Sequence, residues 1–355
     1  MENLLPRFVH ERTNRQEGQM LIAEPATRAN DLAPFAEDPN WPRAQAWISG
    51  DSAKDAVGLL KILGVPLSRG SITPSRCDLA PKAIRRALRS FSTYDVRNER
   101  DVRALGIKDV GDLAVSELGV EEALTTIPAV ASAVMNADAV VLLGGNNAIT
   151  RAGVLSTALD LRRCGLVTLD AHLDLRDYEG GLHNGNPVRA LLDDGLPGRN
   201  IVQIGIQSFS NSELYFNVAC NAGIKVIPVE QIVAQGIEFT IDRALDQLAN
   251  HVDSIYVDLD LDVLDRAYSP GTAGSRPGGL TPLEIRRAAY SCGSHPKVRV
   301  LDVVELDPTR DIHEMTALSA AACLLSFASG VLGRLTQPPT TSRCSPNQPS
   351  GEVSK

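Results

Sequence analysis

The sequence predicts an α/β fold in which helices cover both faces of a mostly parallel sheet. Short apolar runs typical of buried strands alternate with segments of helical spacing along most of the 355 residues. Acidic and polar residues directly follow several of these runs, at the strand ends where open α/β sheets bind ligands. With 43% hydrophobic residues, the chain can bury one large core or two small ones.

Strands are expected at regular intervals, because each apolar run is bounded by polar or turn-forming residues. In chain order they cover residues 57–66, 109–113, 139–143, 165–169, 200–206, 225–227, 254–262 and 298–304. Helices are expected between them, and Pro81 suits the first turn of the first helix. The later helices cover residues 120–135, a segment from 148, and residues 188–193, 211–222, 240–249, 282–290 and 312–332. Such alternation implies crossover connections and therefore parallel strands.

The two ends of the chain differ in composition from its middle. Residues 1–54 are polar and carry both tryptophans, which predicts an N-terminal extension that packs onto the domain through its tryptophan-bearing end. The folded domain is expected at residues 55–335. Residues 336–355, rich in proline, serine and threonine, are predicted to form a disordered tail.

Composition excludes several classes of function. The net charge of −8 argues against a nucleic-acid partner held through phosphate contacts. No apolar run reaches the roughly 18–20 residues needed to span a bilayer, and the N-terminus lacks the apolar region of a secretory signal. The six cysteines form no C-x-x-C pair and are expected to be reduced thiols of a cytoplasmic protein.

One acidic motif comes directly after the expected strand at 165–169. Asp170, His172 and Asp174 alternate along the chain, so they point to one side while the backbone stays extended. Carboxylate and imidazole ligands suit a divalent ion such as Mn²⁺ or Zn²⁺. The motif alone does not decide whether a metal site is present, and the rest of the chain is needed.

A second acidic motif lies within the expected strand at 254–262, where Asp258, Asp260 and Asp262 alternate with apolar residues. A solvated edge strand would explain the charges, but the intervening apolar residues belong to a buried strand. Like charges about 7 Å apart would destabilise such a strand by several kcal/mol unless they were neutralised. Together with Asp170 and Asp174 there are more carboxylates than one dication needs, which favours two ions over one. Such a pair lowers the pKa of a bound water.

Two further strand ends carry polar residues. Glu305 follows the strand at 298–304, where its carboxylate either holds a cationic substrate group or forms a surface salt bridge; both interpretations stay open. The turn at 144–147, Gly-Gly-Asn-Asn, precedes a helix as in a phosphate cradle. It lacks the G-x-G-x-x-G pattern and the Walker lysine, so a nucleotide site is rejected.

Four motifs in order resemble the ureohydrolase superfamily, which includes arginase, agmatinase and formimidoylglutamase. They lie at residues 170–174, at 260–265 with 269–271, at 278–281 and at 305–308 within a match over about 57–333. The resemblance implies a single three-layer, arginase-like α/β domain with a binuclear manganese centre. It also implies a homo-oligomer, a trimer or a hexamer, that acts on a small-molecule substrate.

The resemblance implies a role for each acidic residue. Asp170 and Asp260 would bridge the two Mn²⁺ ions, and His172 and Asp262 would complete the ligand set of one of them. Asp174 would serve the other ion and orient the bridging hydroxide.

Two positions depart from the family pattern. The first family motif is Gly-Gly-Asp-His, with histidine as a metal ligand, and Asn147 stands in its place. An amide oxygen is a weaker ligand than imidazole, so one Mn²⁺ ion is expected to bind less tightly. The usual His-Gly-x-Pro proton-shuttle motif aligns with residues 184–187, which leaves open whether His183 or Asn184 takes that place.

Among the branches, the chain resembles formimidoylglutamase most. Gln207 and the segments at 64–75, 80–85, 92–94 and 109–112 carry this similarity. The branch implies hydrolysis of N-formimino-L-glutamate to L-glutamate and formamide in histidine degradation, with Glu305 binding the formimino nitrogens. Because that substrate has two carboxylates, Arg176 and Arg189 are candidate substrate contacts, although both could equally be surface arginines. Asn184 and Gln207 are the other candidate substrate contacts.

The sequence therefore predicts a cytoplasmic, manganese-dependent hydrolase of linear amidines. A guanidino-acid hydrolase, such as guanidinobutyrase or agmatinase, is the alternative within the family. A metal-poor homologue that binds a ligand as a regulatory or structural subunit is the alternative outside enzymes, and Asn147 is the residue that supports it.

Overall fold

The strands of the computed structural model form one large sheet and one small one. The model describes residues 22–23, 38–50, 53–158 and 160–336. In chain order the strands are β1 (Ile22–Ala23), β2 (Val57–Gly64), β3 (Tyr94–Asp95), β4 (Arg100–Asp101), β5 (Leu105–Leu113), β6 (Ala139–Leu143), β7 (Cys164–Leu169), β8 (Ile201–Ile206), β9 (Lys225–Pro228), β10 (Ser254–Asp260) and β11 (Val298–Val304). The large sheet has the order β1-β5-β2-β6-β11-β10-β7-β8-β9, and β3 pairs with β4 separately. All neighbours in the large sheet are parallel except β1 and β5.

Helices cover both faces of this sheet. In chain order they are α1 (Ala44–Ser49), α2 (Ala80–Ala87), α3 (Val120–Ala131), α4 (Ile149–Thr157), α5 (Pro187–Asp193), α6 (Glu213–Ala222), α7 (Val229–Gln235), α8 (Ile237–Ala249), α9 (Pro282–Ser294) and α10 (Met315–Thr336). Successive residues of β6 alternate between two buried clusters, Val141 on the face covered by α8, α9 and α10, and Val140 on the face covered by α3 and α4. Strands buried on both faces are typical of parallel sheets. The predicted three-layer α/β fold is confirmed.

Local signals explain where the helices begin. Pro81 occupies the first turn of α2, where its missing N–H leaves no hydrogen bond unmade. At the start of α9, the Thr281 side chain accepts from the backbone N–H of Glu284, and the Glu284 carboxylate accepts from the backbone N–H of Thr281. This capping box satisfies two N–H groups that the helix itself leaves unpaired.

The structure differs from the sequence expectation at several elements. Strand β10 ends at Asp260 because a 3₁₀ turn, Leu261–Val263, follows it. Asp260 Oδ1 accepts a hydrogen bond from the backbone N–H of Asp262 at 2.8 Å and so fixes this turn. The alternation expected over 254–262 therefore stops before Asp262. The short hairpin β3–β4 and helix α7 were not predicted, because each is too short to show a periodic pattern.

The N-terminal region contacts the core through α1. Trp47 is 8% exposed and belongs to a buried cluster, whereas Trp41 is 49% exposed. The predicted limits of the extension, the domain and the tail stay predictions. Residues 1–21, 24–37, 51–52, 159 and 337–355 lie outside the described residues, so most of the extension and nearly all of the tail are not described.

Helix α10 is long and apolar enough to cross a membrane by length and composition alone, contrary to the expectation that no such run exists. Its mean hydropathy is 1.8 over its best window, and 78% of that window is buried inside the molecule. It packs against α9 and α2, with residues such as Phe327 and Leu324 fully buried. Within the described residues it is a core helix.

The strand order determines where the polar strand ends meet. Strands β6, β11, β10 and β7 are neighbours, and all four run parallel. Their carboxyl ends therefore lie along one edge of the sheet, and the residues that follow them are brought together there.

Candidate metal centre

Buried acidic and amide side chains converge at this edge from four strands. Asn147 follows β6, Asp170 follows β7, Asp260 ends β10 and Glu305 follows β11. Each of these residues is at most 6% exposed. The convergence is tertiary, because the four strands are not consecutive in the chain.

One possible ligand group consists of Asp170, His172 and Asp262. One donor atom from each lies within 4.8 Å of the others. His172 Nδ1 is 2.9 Å from Asp262 Oδ2 and 3.5 Å from Asp170 Oδ1. The backbone N–H of Ala171 donates to Asp262 Oδ1 at 3.2 Å, which ties the β7 loop to the turn after β10.

A second group surrounds Asn147. Its side-chain nitrogen donates to Asp174 Oδ2 at 2.5 Å and lies 3.4 Å from Asp170 Oδ2. Its backbone N–H donates to Glu305 Oε1 at 2.7 Å. Asp170 therefore borders both groups, as a residue that bridges two ions would.

The carboxyl groups have strongly shifted pKa values. Burial, followed by the neighbouring Asp262, raises the pKa of Asp170 to about 6. Burial and nearby carboxylates raise the pKa values of Asp174 and Asp260 well above their usual range. The Asp262 carboxylate raises the pKa of His172 to about 12. In the protein alone, protons on these groups limit the repulsion among them.

The donor set fits divalent metal ions. Buried carboxylates whose neighbours are further carboxylates gain most from a dication, because it supplies the positive charge that protons otherwise supply. Oxygen donors with one imidazole suit Mn²⁺ better than softer ions. The chemistry and the spacing of the residues therefore agree with a metal centre.

Backbone geometry at the site is unusual in two respects. Asp174 and Glu305 adopt φ angles of 52° and 66°, the left-handed region that costs non-glycine residues energy. Gly145 and Gly274 also have no room for a side chain. A Cβ on Gly145 would overlap the Leu67 backbone, and one on Gly274 would overlap the Asp262 carboxylate.

The pocket beside these residues has a volume of about 330 Å³. Its lining includes His172, Asp174, Asp260, Asp262 and Glu305. A larger cavity of about 1020 Å³ adjoins it and shares Arg176, Ile72 and Tyr215 with it. The acidic pocket thus opens toward solvent past an arginine.

The structure separates the other sequence-predicted residues. Asn184 lines the pocket and donates from Nδ2 to Glu305 Oε1 at 3.0 Å. His183 lines the outer cavity instead, and its Nδ1 accepts from the backbone N–H of Gly185 at 3.1 Å. Asn184, and not His183, therefore stands beside the acidic groups.

Two predicted substrate contacts lie away from the pocket lining. Arg189, on α5, faces Asp193 one helical turn later, with Nε 3.7 Å from Oδ2. Gln207 is buried behind the β7 loop, where its Nε2 approaches the Val263 carbonyl at 3.5 Å. The Arg189 side chain extends along α5 toward Asp193 and not into the pocket. Gln207 follows β8, which lies outside the four central strands β6, β11, β10 and β7.

Sequence reasoning missed Arg276 and Asn211, which line the pocket. Asn211 supports the β7 loop, because it accepts from the Leu173 N–H at 2.8 Å and donates to the Ala171 carbonyl at 2.9 Å. Arg276 follows Gly274 in the loop after β10, and its guanidinium donates to the Gly274 carbonyl at 2.8 Å. In the sequence, Arg276 lies between the family motifs at 269–271 and 278–281, and this position could have indicated that it is close to the site.

Asp258 does not line the pocket, although it shares a strand with Asp260. It is 1% exposed and is the direct neighbour of Asp302 across β10 and β11. Burial, followed by the charge of Asp302, raises the pKa of Asp258 well above its usual range. A neutral carboxyl is therefore favoured there, and Asp258 is part of the core beneath the site.

Comparison with known proteins agrees with this geometry. The family model described as "Arginase family" matches residues 59–329. The formimidoylglutamase of Halalkalibacterium halodurans is 37% identical over 278 residues, which cover 76% of this chain and 86% of that protein. The crystal structure of formimidoylglutamase from Bacillus subtilis superposes with a TM-score of 0.78 at 29% identity, covering 85% of this chain and 97% of that one.

A crystal structure of Trypanosoma cruzi formiminoglutamase with Mn²⁺ superposes with a TM-score of 0.74 at 22% identity, covering 83% of this chain and 99% of that one. At this identity the likeness shows the fold. The fold and the acidic pocket together define an arginase-like α/β protein with a candidate metal centre. The chain belongs to the arginase family, which confirms the resemblance drawn from its four motifs.

Proposed function

We propose that this protein is a manganese-dependent hydrolase that converts N-formimino-L-glutamate to L-glutamate and formamide, a reaction of histidine degradation. The observation that carries the proposal is one pocket that combines buried acidic ligands at its floor with arginines at its mouth. A metal centre needs the acidic ligands, and a substrate with two carboxylates needs the arginines. The similarity to formimidoylglutamases supports the same substrate.

Two Mn²⁺ ions fit the two ligand groups. Asp170 and Asp260 would lie between the ions. His172 and Asp262 would complete one ligand set, and Asp174 with the Asn147 side chain the other. Bound in this way, the ions would supply the Lewis acidity that ionises water at neutral pH.

Glu305 is proposed to hold the amidine. Its Oε1 already accepts hydrogen bonds from the Asn147 backbone and the Asn184 side chain, so the carboxylate is fixed in direction. Burial raises the pKa of Glu305 to about 7, and a cationic amidinium beside it would favour its ionised form. Asp174 is placed to orient the attacking water, and Asn184 to contact the leaving nitrogen.

The mouth is proposed to bind the two substrate carboxylates. Arg176 and Arg276 both line the pocket, and the Arg176 side chain makes no hydrogen bond or ion pair with the described residues. Ser210, whose hydroxyl is buried without a described partner, offers a neutral donor beside them. Arginine pairs well with carboxylates because its donors match both oxygens.

A turnover screen tests the proposal. The purified protein with added Mn²⁺ would be incubated with formiminoglutamate, arginine, agmatine and guanidinobutyrate, and formamide and urea would be measured. We expect formamide release to exceed urea release from every guanidino compound. Faster urea release would place the protein among the guanidino-acid hydrolases, and no hydrolysis at saturating Mn²⁺ would favour a binding subunit.

Assembly and location stay predictions from the resemblance. A trimer or hexamer and a cytoplasmic enzyme are expected. Sedimentation analysis of the full chain would test the first.

A further inference from the structure

The side-chain amide of Asn147 contacts different partners at its two ends. Without a bound ion the amide nitrogen faces the acidic groups, 2.5 Å from Asp174 Oδ2 and 3.4 Å from Asp170 Oδ2. The amide oxygen accepts from the hydroxyl of Thr150 at 2.6 Å, three residues later at the start of α4. Thr150 is fully buried, so water cannot replace this partner.

The Thr150 hydroxyl has a second partner. It lies 2.9 Å from Asp302 Oδ2, on β11. Asp302 also accepts from the Tyr256 hydroxyl at 2.7 Å and from the backbone N–H of Leu259 at 3.2 Å. Asp302 is therefore surrounded by donors and acts as an acceptor toward Thr150 as well.

Counting hydrogens distinguishes the two orientations of the amide. A threonine hydroxyl has one proton, so it cannot donate both to Asp302 and to a carbonyl oxygen of Asn147. If the amide nitrogen faces Thr150, its N–H donates to the hydroxyl, and the hydroxyl proton goes to Asp302. In that arrangement the contacts with Thr150 and Asp302 each have a hydrogen. The amide oxygen then faces Asp170 and Asp174, where a bound cation would replace the hydrogen bonds that the nitrogen makes without one. Because the two ends of the amide are similar in size, a half-turn of the side chain exchanges them without moving the backbone.

We propose that Thr150 and Asp302 are positioning residues that stabilise the Asn147 amide, once an ion is bound, with its carbonyl oxygen turned toward the metal centre. The inference rests on the proposed function, because it concerns the ion that Asn147 would serve. A neutral amide has two ends of similar size, so something must favour the oxygen over the nitrogen. The buried threonine–aspartate pair does so by providing an acceptor where the nitrogen has to lie.

The test uses Thr150→Val, which keeps the shape of the side chain and removes the hydroxyl. Mn²⁺ binding to the metal-free protein would be measured by titration calorimetry, with electron paramagnetic resonance reporting free ion. We expect one of two sites to weaken about tenfold, as is common when a partner of a metal ligand is lost, and the other to stay unchanged. Thr150→Ser should restore the affinity because it retains the hydroxyl.

Two controls separate positioning from a general loss of structure. Thr157→Val makes the same change on the same helix and should leave both sites unchanged. Among the described residues, the Thr157 hydroxyl bonds only to the Gly153 carbonyl, at 2.9 Å. In an Asn147→Ala background, Thr150→Val should add no further loss. An equal loss there would overturn the inference, because the effect would not pass through Asn147.

The remaining outcomes are distinct. Two unchanged sites in Thr150→Val would overturn the inference and leave the proposed function intact. A wild-type protein that binds no Mn²⁺ would overturn the proposed function, and the inference with it. If Thr150→Val does not fold, a crystal structure of the Mn²⁺-loaded wild type decides between the two orientations. An Asn147 oxygen that still faces the Thr150 hydroxyl would contradict the inference.

Discussion

At the scale of single residues, the site combines strong charge with exact placement. Asp174, in the loop after β7, and Glu305, directly after β11, are held in the left-handed backbone region. Such strain persists only where the surrounding contacts fix it, here the hydrogen bonds from the Arg189 N–H to Asp174 and from the Glu305 N–H to Gly145. The strained backbone lowers the stability of the fold, and it directs these two carboxylates into the pocket.

The first prediction concerns Asp260. Replacing it with asparagine removes a buried negative charge from between the two proposed ions, so Asp260→Asn should lose both Mn²⁺ and activity while the fold persists. Elemental analysis and circular dichroism measure these outcomes. Asp253→Asn, an exposed aspartate paired with Arg163, is the matched control and should change neither. Unchanged metal content in Asp260→Asn would contradict the bridging role.

The second prediction concerns the proton on His172. Asp262 raises the pKa of His172 to about 12, so the metal-free protein holds this imidazole protonated at neutral pH. An ion that binds the imidazole must displace that proton. Mn²⁺ affinity should therefore rise with pH and fall on acidification, as protons compete more strongly.

Calorimetry in buffers of different ionisation enthalpy would count the released protons. His172→Asn should release fewer than the wild type. A binding heat that is independent of the buffer would show that the imidazole is neutral before the ion binds.

At the scale of elements, a buried ion pair joins α2 to β5. The Arg85 guanidinium, 3% exposed, donates to Asp109 at 2.7 and 2.8 Å and to Asp112 at 2.5 Å. These are residues of two segments that resembled formimidoylglutamase. In the structure they connect a helix to the sheet and do not line the pocket, so their role is to hold the first strands in place.

The third prediction follows from this pair. Arg85→Met leaves two carboxylates without their cation in a largely buried place, so the free energy of unfolding should fall by about 3–5 kcal/mol. Urea denaturation measures it. Arg162→Met, which breaks an exposed pair with Asp160, should leave the midpoint unchanged. Equal midpoints for Arg85→Met and the wild type would show that the pair contributes nothing.

At the scale of the whole molecule, the net charge of the chain is negative, whereas the charged side chains at the mouth of the pocket include two arginines. The chain has a net charge of −8, yet Arg176 and Arg276 border the opening of the pocket. A substrate with two carboxylates and one amidinium has a net negative charge, so the molecule as a whole would repel it at long range while the arginines attract its carboxylates at the mouth. Because the Debye length is about 8 Å at physiological ionic strength, the nearby arginines dominate there.

The fourth prediction tests this mouth. Arg176→Met and Arg276→Met should each raise KM for formiminoglutamate about tenfold or more with little change in kcat, since each removes a charge-assisted contact made before and during the reaction. Steady-state kinetics measure both constants. Arg189→Met is the matched control and should leave KM unchanged, because Arg189 faces Asp193 outside the pocket. If KM rose in Arg189→Met and not in the other two variants, Arg189 and not Arg176 or Arg276 would be the residue that binds the substrate carboxylates.

Local sequence determined most of the elements and the identity of the acidic groups. Strands β6 and β11 were predicted at their observed bounds, because a run of apolar residues between polar ones is a local pattern. Asp170, His172 and Asp260 were found for the same reason, since each comes at or directly after such a run. These features need no knowledge of distant contacts.

Only the tertiary structure decided which polar side chains meet. The order β6-β11-β10-β7 pairs β6 with β11 and β10 with β7, strands that are far apart in the chain, and no local pattern encodes that order. It brought Arg276 to the pocket and left Arg189 outside it. It also placed Asp302 beside Thr150, while burial made α10 a core helix. Local sequence patterns therefore identify the candidate ligands. Which side chains contact them depends on how whole elements pack, because those contacts join segments that are distant in the chain.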